Sequence, residues 1–222
     1  LFFVQSGLGA ITVILSNAWL SVLLHLGDSM FMLAAYIVLW VNARSVGMQT
    51  SDTPNKSGLT LFEALLATLL AFTVAMIGAA VQGNGATKAC VGWPLCMGQV
   101  WPVDQGPYQV LNMVHRLAAG ALGLAILYLI WRAWQTARPV LRVSLAAALI
   151  IYVLQAAIGA AVVLLNDQIW FVIAQSLHVT FAAATWSTMV TVSAIVWLQQ
   201  QSNRPATSKA KRVGVSSAPI SN

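Results

Sequence analysis

The chain has 222 residues, 59% of them hydrophobic and 7% charged, with a mean hydropathy of +0.80 and a formal net charge of +6. Soluble domains carry about 25% charged residues, so this sequence has too little polar surface to cover itself in water. It reads as an all-α polytopic membrane bundle, which excludes a soluble enzyme, a nucleic-acid-binding domain and a disordered chain. At roughly 20 residues per spanning helix plus a connection, the length holds about six spans.

Apolar runs separated by polar or Pro/Gly-containing stretches predict helices over Leu1–Leu15, Ala18–Val41, Leu59–Gln82, Pro107–Trp134, Val140–Leu165 and Gln168–Leu198. The first is about 22 Å long, short for a hydrocarbon core of about 30 Å. With a start at Leu1, this gives the expectation of the C-terminal part of a longer protein. Residues 43–58 read as a connection, and 199–222, rich in Ser, Lys, Arg and Pro, as a disordered tail. Arg44, Lys56, Arg132, Arg138, Arg142, Arg204, Lys209, Lys211 and Arg212 fall on one side of the predicted spans and Lys88 on the other. The positive-inside rule makes the basic side, tail included, cytoplasmic. The net charge is therefore a topology signal and not a nucleic-acid footprint.

Val4 to Leu15 can be laid on Leu154 to Leu165, with Gln5 on Gln155 and Gly9 on Gly159, four residues apart and on one helix face in both. Each stretch is followed by a short turn, a Trp (Trp19, Trp170) and a His (His25, His178). Helices one and two then correspond to five and six. The even offset points to two four-helix units in parallel repeat, the first truncated to its last two helices.

The three histidines all fall inside predicted spans, where an ionisable side chain marks a functional site by default. Counted from the outer surface at about 1.5 Å per residue, His115, His178 and His25 lie about 12, 12 and 9 Å deep. Two neutral imidazoles facing across a bundle suit an axial pair on haem iron, whereas zinc takes three or four protein ligands. Small residues follow both ligands, Ala118-Ala119-Gly120 and Ala182-Ala183-Ala184, suiting either a flat ring or close helix packing. Arg116 is placed to pair with a haem propionate or to snorkel to the interface. Cys90 and Cys96, with Pro94 between them, suit a local disulfide, a staple or a redox pair. Asp28 is open to proton transfer or to a hydrogen bond with Ser29 or a neighbouring helix. Glu63, near a helix end, is not expected to be catalytic.

Cys90 to Cys96 with Trp93-Pro94-Leu95-Cys96 and Gly98, then His115-Arg116-Leu117-Ala118-Ala119-Gly120, Gln155 with Gly159, and His178 together resemble the second half of the haem A synthase family. Gln5, Gly9 and His25 resemble the end of that family's first half. The resemblance covers nearly all of 1–198. It implies an eight-helix protein of two four-helix bundles, with 1–42 the end of the substrate-haem bundle and 59–198 the complete haem b bundle. The implied activity oxidises the C8 methyl of haem O to the formyl group of haem A for cytochrome oxidase assembly.

In that picture His115 and His178 are the axial iron ligands of the haem b cofactor, and His25 is one of two ligands to the substrate haem O. The family's Glu, three residues before the other substrate His, would lie upstream of Leu1, and Asn112 stands at the equivalent place here. Taking a methyl to an aldehyde removes four electrons, which gives a second haem a role as electron carrier. Implied partners are haem O, haem O synthase, oxidase assembly factors, membrane lipid and a second copy of the chain. The implied location is a bacterial cell membrane, the Cys90/Cys96 loop outside. The rival reading is a non-enzymatic b-type cytochrome that only carries electrons.

Overall fold

The computed structural model describes residues 1–46, 58–134 and 139–202. These form α1 (Phe2–Ile14), α2 (Trp19–Val46), α3 (Leu61–Gly83), α4 (Pro107–Trp134), α5 (Pro139–Leu164) and α6 (Gln168–Ser202), with a 3-10 turn at Ala86–Lys88. Helices α2 to α6 are long and apolar enough to cross a membrane, and α1 is shorter. Two helix ends run past their sequence-based limits. α2 continues beyond Val41 to Val46, and α6 beyond Leu198 to Ser202, so the boundary at 198 moves to 202. Falling hydropathy marks where an apolar run stops, but Asn42, Arg44 and the glutamines from Gln199 still sustain backbone hydrogen bonding. Gln199 is even buried. The expected tail from 203 onward, most of the 43–58 connection, and Lys56, Arg138, Arg204, Lys209, Lys211 and Arg212 lie outside the described residues.

Local chemistry sets the described helix ends. Thr60 caps α3 by accepting from Glu63 N (3.2 Å), while the Glu63 carboxylate accepts from Thr60 N (2.7 Å). Asp167 Oδ1 accepts from the backbone N–H groups of Ile169 and Trp170 and so starts α6. At the far end of α5, the Lys88 ammonium donates to the carbonyls of Val163 and Leu165 and lies over the Phe171 ring. A cation there satisfies carbonyls that the helix leaves unpaired and complements its dipole.

α3 to α6 form a four-helix bundle in which α3 packs on α4 and α6, and α5 on α4 and α6. α1 packs on α2, and α2 on α3 and α6. The joint between α2 and the bundle is specific. Trp186 Nε1 donates to the Met30 carbonyl (3.1 Å), and Phe31, Phe72 and Trp186 form a run of rings with centroids 5.0 and 5.4 Å apart. Thr68 and Ser193 bridge α3 and α6 at 2.8 Å, satisfying two hydroxyls in the core.

The bundle is unevenly filled. Ala64, Ile126, Leu141, Leu145, Met189, Val192 and Val196 are fully enclosed in the half where α3 begins and α4 ends. In the other half, beneath the Cys90–Cys96 loop, Ala75, Gly78, His115, Ala118, Gln155, Gly159, His178 and Ala182 are only half-buried. One half is thus a closed apolar plug, and in the other the residues around the histidines are mostly small and only partly enclosed.

Gly123 on α4 lets α5 approach: a Cβ there would stand 2.6 Å from the Tyr152 hydroxyl, which donates to the Ala119 carbonyl (2.8 Å). Gly120, one turn earlier, has nothing within 4 Å of such a Cβ. Gly123→Val is therefore expected to destabilise the fold by about 1–3 kcal/mol through overpacking. Gly120→Ala should stay within about 0.5 kcal/mol. Equilibrium unfolding of both variants in mixed micelles checks the pair.

Candidate functional site

His115 on α4 and His178 on α6 face each other across the open half, their ring centroids 6.3 Å apart and their planes at 80°. An imidazole nitrogen bonds a first-row metal at about 2.0–2.1 Å and lies about 1.1 Å from its ring centroid, so two imidazoles on opposite sides of one ion stand about 6.3 Å apart. The observed separation has that value. Among the described residues, no group of three or more His, Cys, Asp or Glu is gathered to hold an ion. The pair can therefore supply two opposed ligands and leaves the remaining positions of a metal to another molecule.

Each ring is seated on a helix glycine. A Cβ on Gly78 of α3 would stand 2.9 Å from His115 Cε1, and one on Gly159 of α5 would stand 2.7 Å from His178 Cε1. No side chain fits at either place. His178 Nδ1 is 3.2 Å from the Gln155 carbonyl, which can only accept, so this bond holds the proton on Nδ1 and leaves Nε2 as the acceptor, which the Gln155 side-chain amide meets at 3.4 Å. His115 Nδ1 is buried without a hydrogen-bond partner.

His25 occupies a matching frame between α1 and α2. A Cβ on Gly9 would stand 3.2 Å from His25 Cε1, and the Gln5 amide lies 3.4 Å from His25 Nε2, the distance also found between Gln155 and His178 Nε2. The correspondence seen in sequence, Gln5 with Gln155 and Gly9 with Gly159, is thus a correspondence of contacts. Asp28 and Ser29 lie beside Gln5 in this frame only.

The Cys90–Cys96 disulfide is formed, both residues being buried at 1% and 0% exposure. The Arg116 guanidinium is engaged by the loop above it. Its Nη1 donates to the carbonyls of Gly92 (2.9 Å), Pro94 (3.1 Å) and Leu95 (3.0 Å), its Nη2 to Cys90 (3.4 Å), and its Nε to Asn112 Oδ1 (2.9 Å). A loop of six residues curls its carbonyls inward, and a planar guanidinium with five donors fills that ring. Asn112 donates in turn to the carbonyls of Ala86 (2.9 Å) and Thr87 (3.3 Å). The loop is therefore clamped to α4 one turn above His115. Glu63 is bound at the opposite end by Arg132 and the Tyr128 hydroxyl, both at 2.7 Å.

Sequence reasoning missed Gly78, the seat of His115. Its signal was a glycine inside an apolar helix, followed by Ala79 and Ala80, a mark of close approach. Lys88 as the cap of α5, and Asn112 as a loop tie, carried no sequence signal, because both act on backbone brought near only by the fold.

These features define an all-α polytopic membrane protein with an opposed imidazole pair inside its helical bundle. Residues 1–190 match the model of the family described as Cytochrome oxidase assembly protein (COX15-CtaA), and the chain belongs to that family. It is 36% identical over 168 residues to the heme A synthase of Symbiobacterium thermophilum, covering 72% of this chain and 54% of that protein. It is 30% identical over 161 residues to the heme A synthase of Exiguobacterium sp., covering 72% and 51%. A protoheme IX farnesyltransferase of Halobacterium salinarum is 30% identical over 146 residues, 64% of this chain and 30% of that protein. The chain spans about half the length of the heme A synthases it matches.

Removing the Arg116 guanidinium should open the loop. In Arg116→Ala, hydrogen bonds to a charged group, worth about 1.5–3 kcal/mol, are lost, so reduction of Cys90–Cys96 by a small thiol should speed up by about tenfold or more. Arg116→Lys, with a point charge in place of the fork, should recover little of the protection. A time course of thiol alkylation read by mass spectrometry measures this.

Proposed function

We propose that the chain is part of a haem A synthase-type membrane oxidoreductase, in which His115 and His178 hold a resident b-type haem and His25 contributes to the site of haem O. The observation that carries the reading is the 6.3 Å imidazole pair, each ring on a glycine seat, in the half of the bundle the apolar core does not fill. A haem brings four nitrogens of its own, and His115 and His178 would supply the two further ligands to its iron. When bound there, the haem supplies one-electron transfer.

The chain's own residues do the rest. The glycines let the rings stand upright between helices. The Gln155 carbonyl keeps the His178 proton on Nδ1, so Nε2 would be the nitrogen available to a metal once the Gln155 amide gives way. The apolar plug from Ile126 to Val196 excludes water from one side. The reaction is the oxidation of the haem O C8 methyl to a formyl group. The names of the relatives, heme A synthase and protoheme IX farnesyltransferase, support a haem substrate. Haem O synthase and oxidase assembly factors are the proposed partners. The Cys90–Cys96 loop lies on the outer face of a bacterial cell membrane, and the disulfide, buried under Arg116, is a staple and not an exchanging redox pair.

A second reading, a b-type cytochrome without substrate chemistry, draws on Asn112. It stands one turn from His115 and spends its amide on Ala86, Thr87 and Arg116, so it offers no acid to a reaction there. In the enzymatic reading this makes the α3–α6 bundle the cofactor site.

A natural full-length protein containing this segment should purify with a low-spin bis-imidazole haem. His115→Ala and His178→Ala should each abolish that spectrum; its persistence in both would overturn the ligand assignment. Expressed in a host that makes only haem O, the same protein should yield haem A in extracted membranes, and membranes holding haem O alone would favour the cytochrome reading.

A further inference from the structure

The two matching frames share geometry but not wiring. Beside His178, the positions equivalent to Asp28 and Ser29 are Phe181 and Ala182. There the Gln155 side-chain Nε2 lies 3.4 Å from His178 Nε2, and its Oε1 is buried without a partner. The Nδ1 bond to the Gln155 carbonyl keeps the proton off His178 Nε2, whose lone pair accepts from the Gln155 amide.

Beside His25 the amide is oriented by its neighbours. Turned toward Asp28, Gln5 Nε2 donates to Asp28 Oδ2 (2.9 Å) and to the His25 carbonyl (3.2 Å), and Gln5 Oε1 accepts from the Ser29 hydroxyl, whose single proton otherwise goes to the His25 carbonyl (2.8 Å). The opposite orientation sets Gln5 Oε1 against the Asp28 carboxylate, acceptor facing acceptor. With Nε2 turned to Asp28, Gln5 Oε1 is the atom that stands 3.4 Å from His25 Nε2. An amide oxygen only accepts, so the ring meets it favourably with a proton on Nε2.

We propose that Asp28, acting through Gln5, is a positioning residue that holds His25 in the Nε2-protonated form, and that this makes His25 a releasable metal ligand where His178 is a resident one. Binding a metal through Nε2 requires the lone pair there, so His25 must first move its proton to Nδ1 and give up the Gln5 oxygen. His178 gives up the Gln155 N–H but has no proton to move. The second half of the inference rests on reading His25 as a ligand of the substrate haem, which must leave as product. The first half stands on the chain alone.

The three imidazoles of the chain make the first half directly measurable. The metal-free chain, labelled with ring-15N histidine and placed in lipid nanodiscs, should show His178 protonated on Nδ1 and His25 on Nε2, with assignments from single His→Ala variants. In Asp28→Ala and in Gln5→Leu, the His25 signals should move toward the Nδ1-protonated form while those of His178 stay in place, the latter reporting an intact fold. Asp28→Glu should restore the native pattern at least in part. The same tautomer at His25 and His178 in the native chain, or an unmoved His25 in both variants, would overturn the proposal.

In a haem-loaded full-length protein, release of haem from the His25 site should slow by about tenfold in Asp28→Ala, since changes of this kind fall mainly on dissociation. An unchanged release rate beside a shifted tautomer would overturn the releasable-ligand half. A native protein that binds no haem at His25, with the tautomers as stated, would overturn the substrate-site reading and leave the role of Asp28 standing.

Discussion

The structure depends on one repeated contact, an imidazole ring laid on the bare backbone of a glycine in the preceding helix. Gly9 seats His25, Gly78 seats His115 and Gly159 seats His178, with Cβ clearances of 3.2, 2.9 and 2.7 Å to the ring. Helices in lipid approach closely where small residues let them, and a ring standing in that gap is fixed in direction by the backbone on either side. That contact sets the facing distance of His115 and His178, and it makes the two frames containing His25 and His178 superimposable in kind. A methyl group at any of the three glycines would press on the very atoms that carry the chemistry.

The uneven packing follows from the same arrangement. A bundle filled by large apolar side chains along its whole length would bury the histidines in a tight core. Here the large side chains gather around Ile126, Leu145, Met189 and Val196, and small ones surround the rings. Stiffness has to come from the ends. Arg116 and Asn112 close the loop over α4, Lys88 ties that loop region to the end of α5, and Asp167 starts α6 beside it.

Much of this was legible in the sequence, for physical reasons that differ by residue. Pro107 marked a helix start because a proline acts within one turn of its own chain, whereas the Thr60–Glu63 cap was not read and the start expected at Leu59 lies at Leu61. The histidines were legible because an ionisable group in a span is rare and its depth is a matter of counting. The Gln–Gly–His frame was legible because it occurs twice. Helix ends at Val46 and Ser202 were not, since polar residues can extend a helix past the apolar run. The partners of Arg116 were not either, because they are backbone carbonyls of a loop whose curl only the disulfide and the fold determine. Gly78 had a readable helix but no readable partner.

The central proposal is that the His115 and His178 rings, 6.3 Å apart with planes at 80°, would be the two protein ligands of one haem iron. Low-temperature electron paramagnetic resonance of the oxidised, haem-loaded full-length protein tests it most directly, because the angle between axial imidazole planes governs the shape of a low-spin ferric signal. The account predicts the strongly axial, large-g signal of near-perpendicular imidazoles, lost when either histidine is replaced by alanine. A high-spin signal, or a rhombic signal of parallel imidazoles, would contradict it.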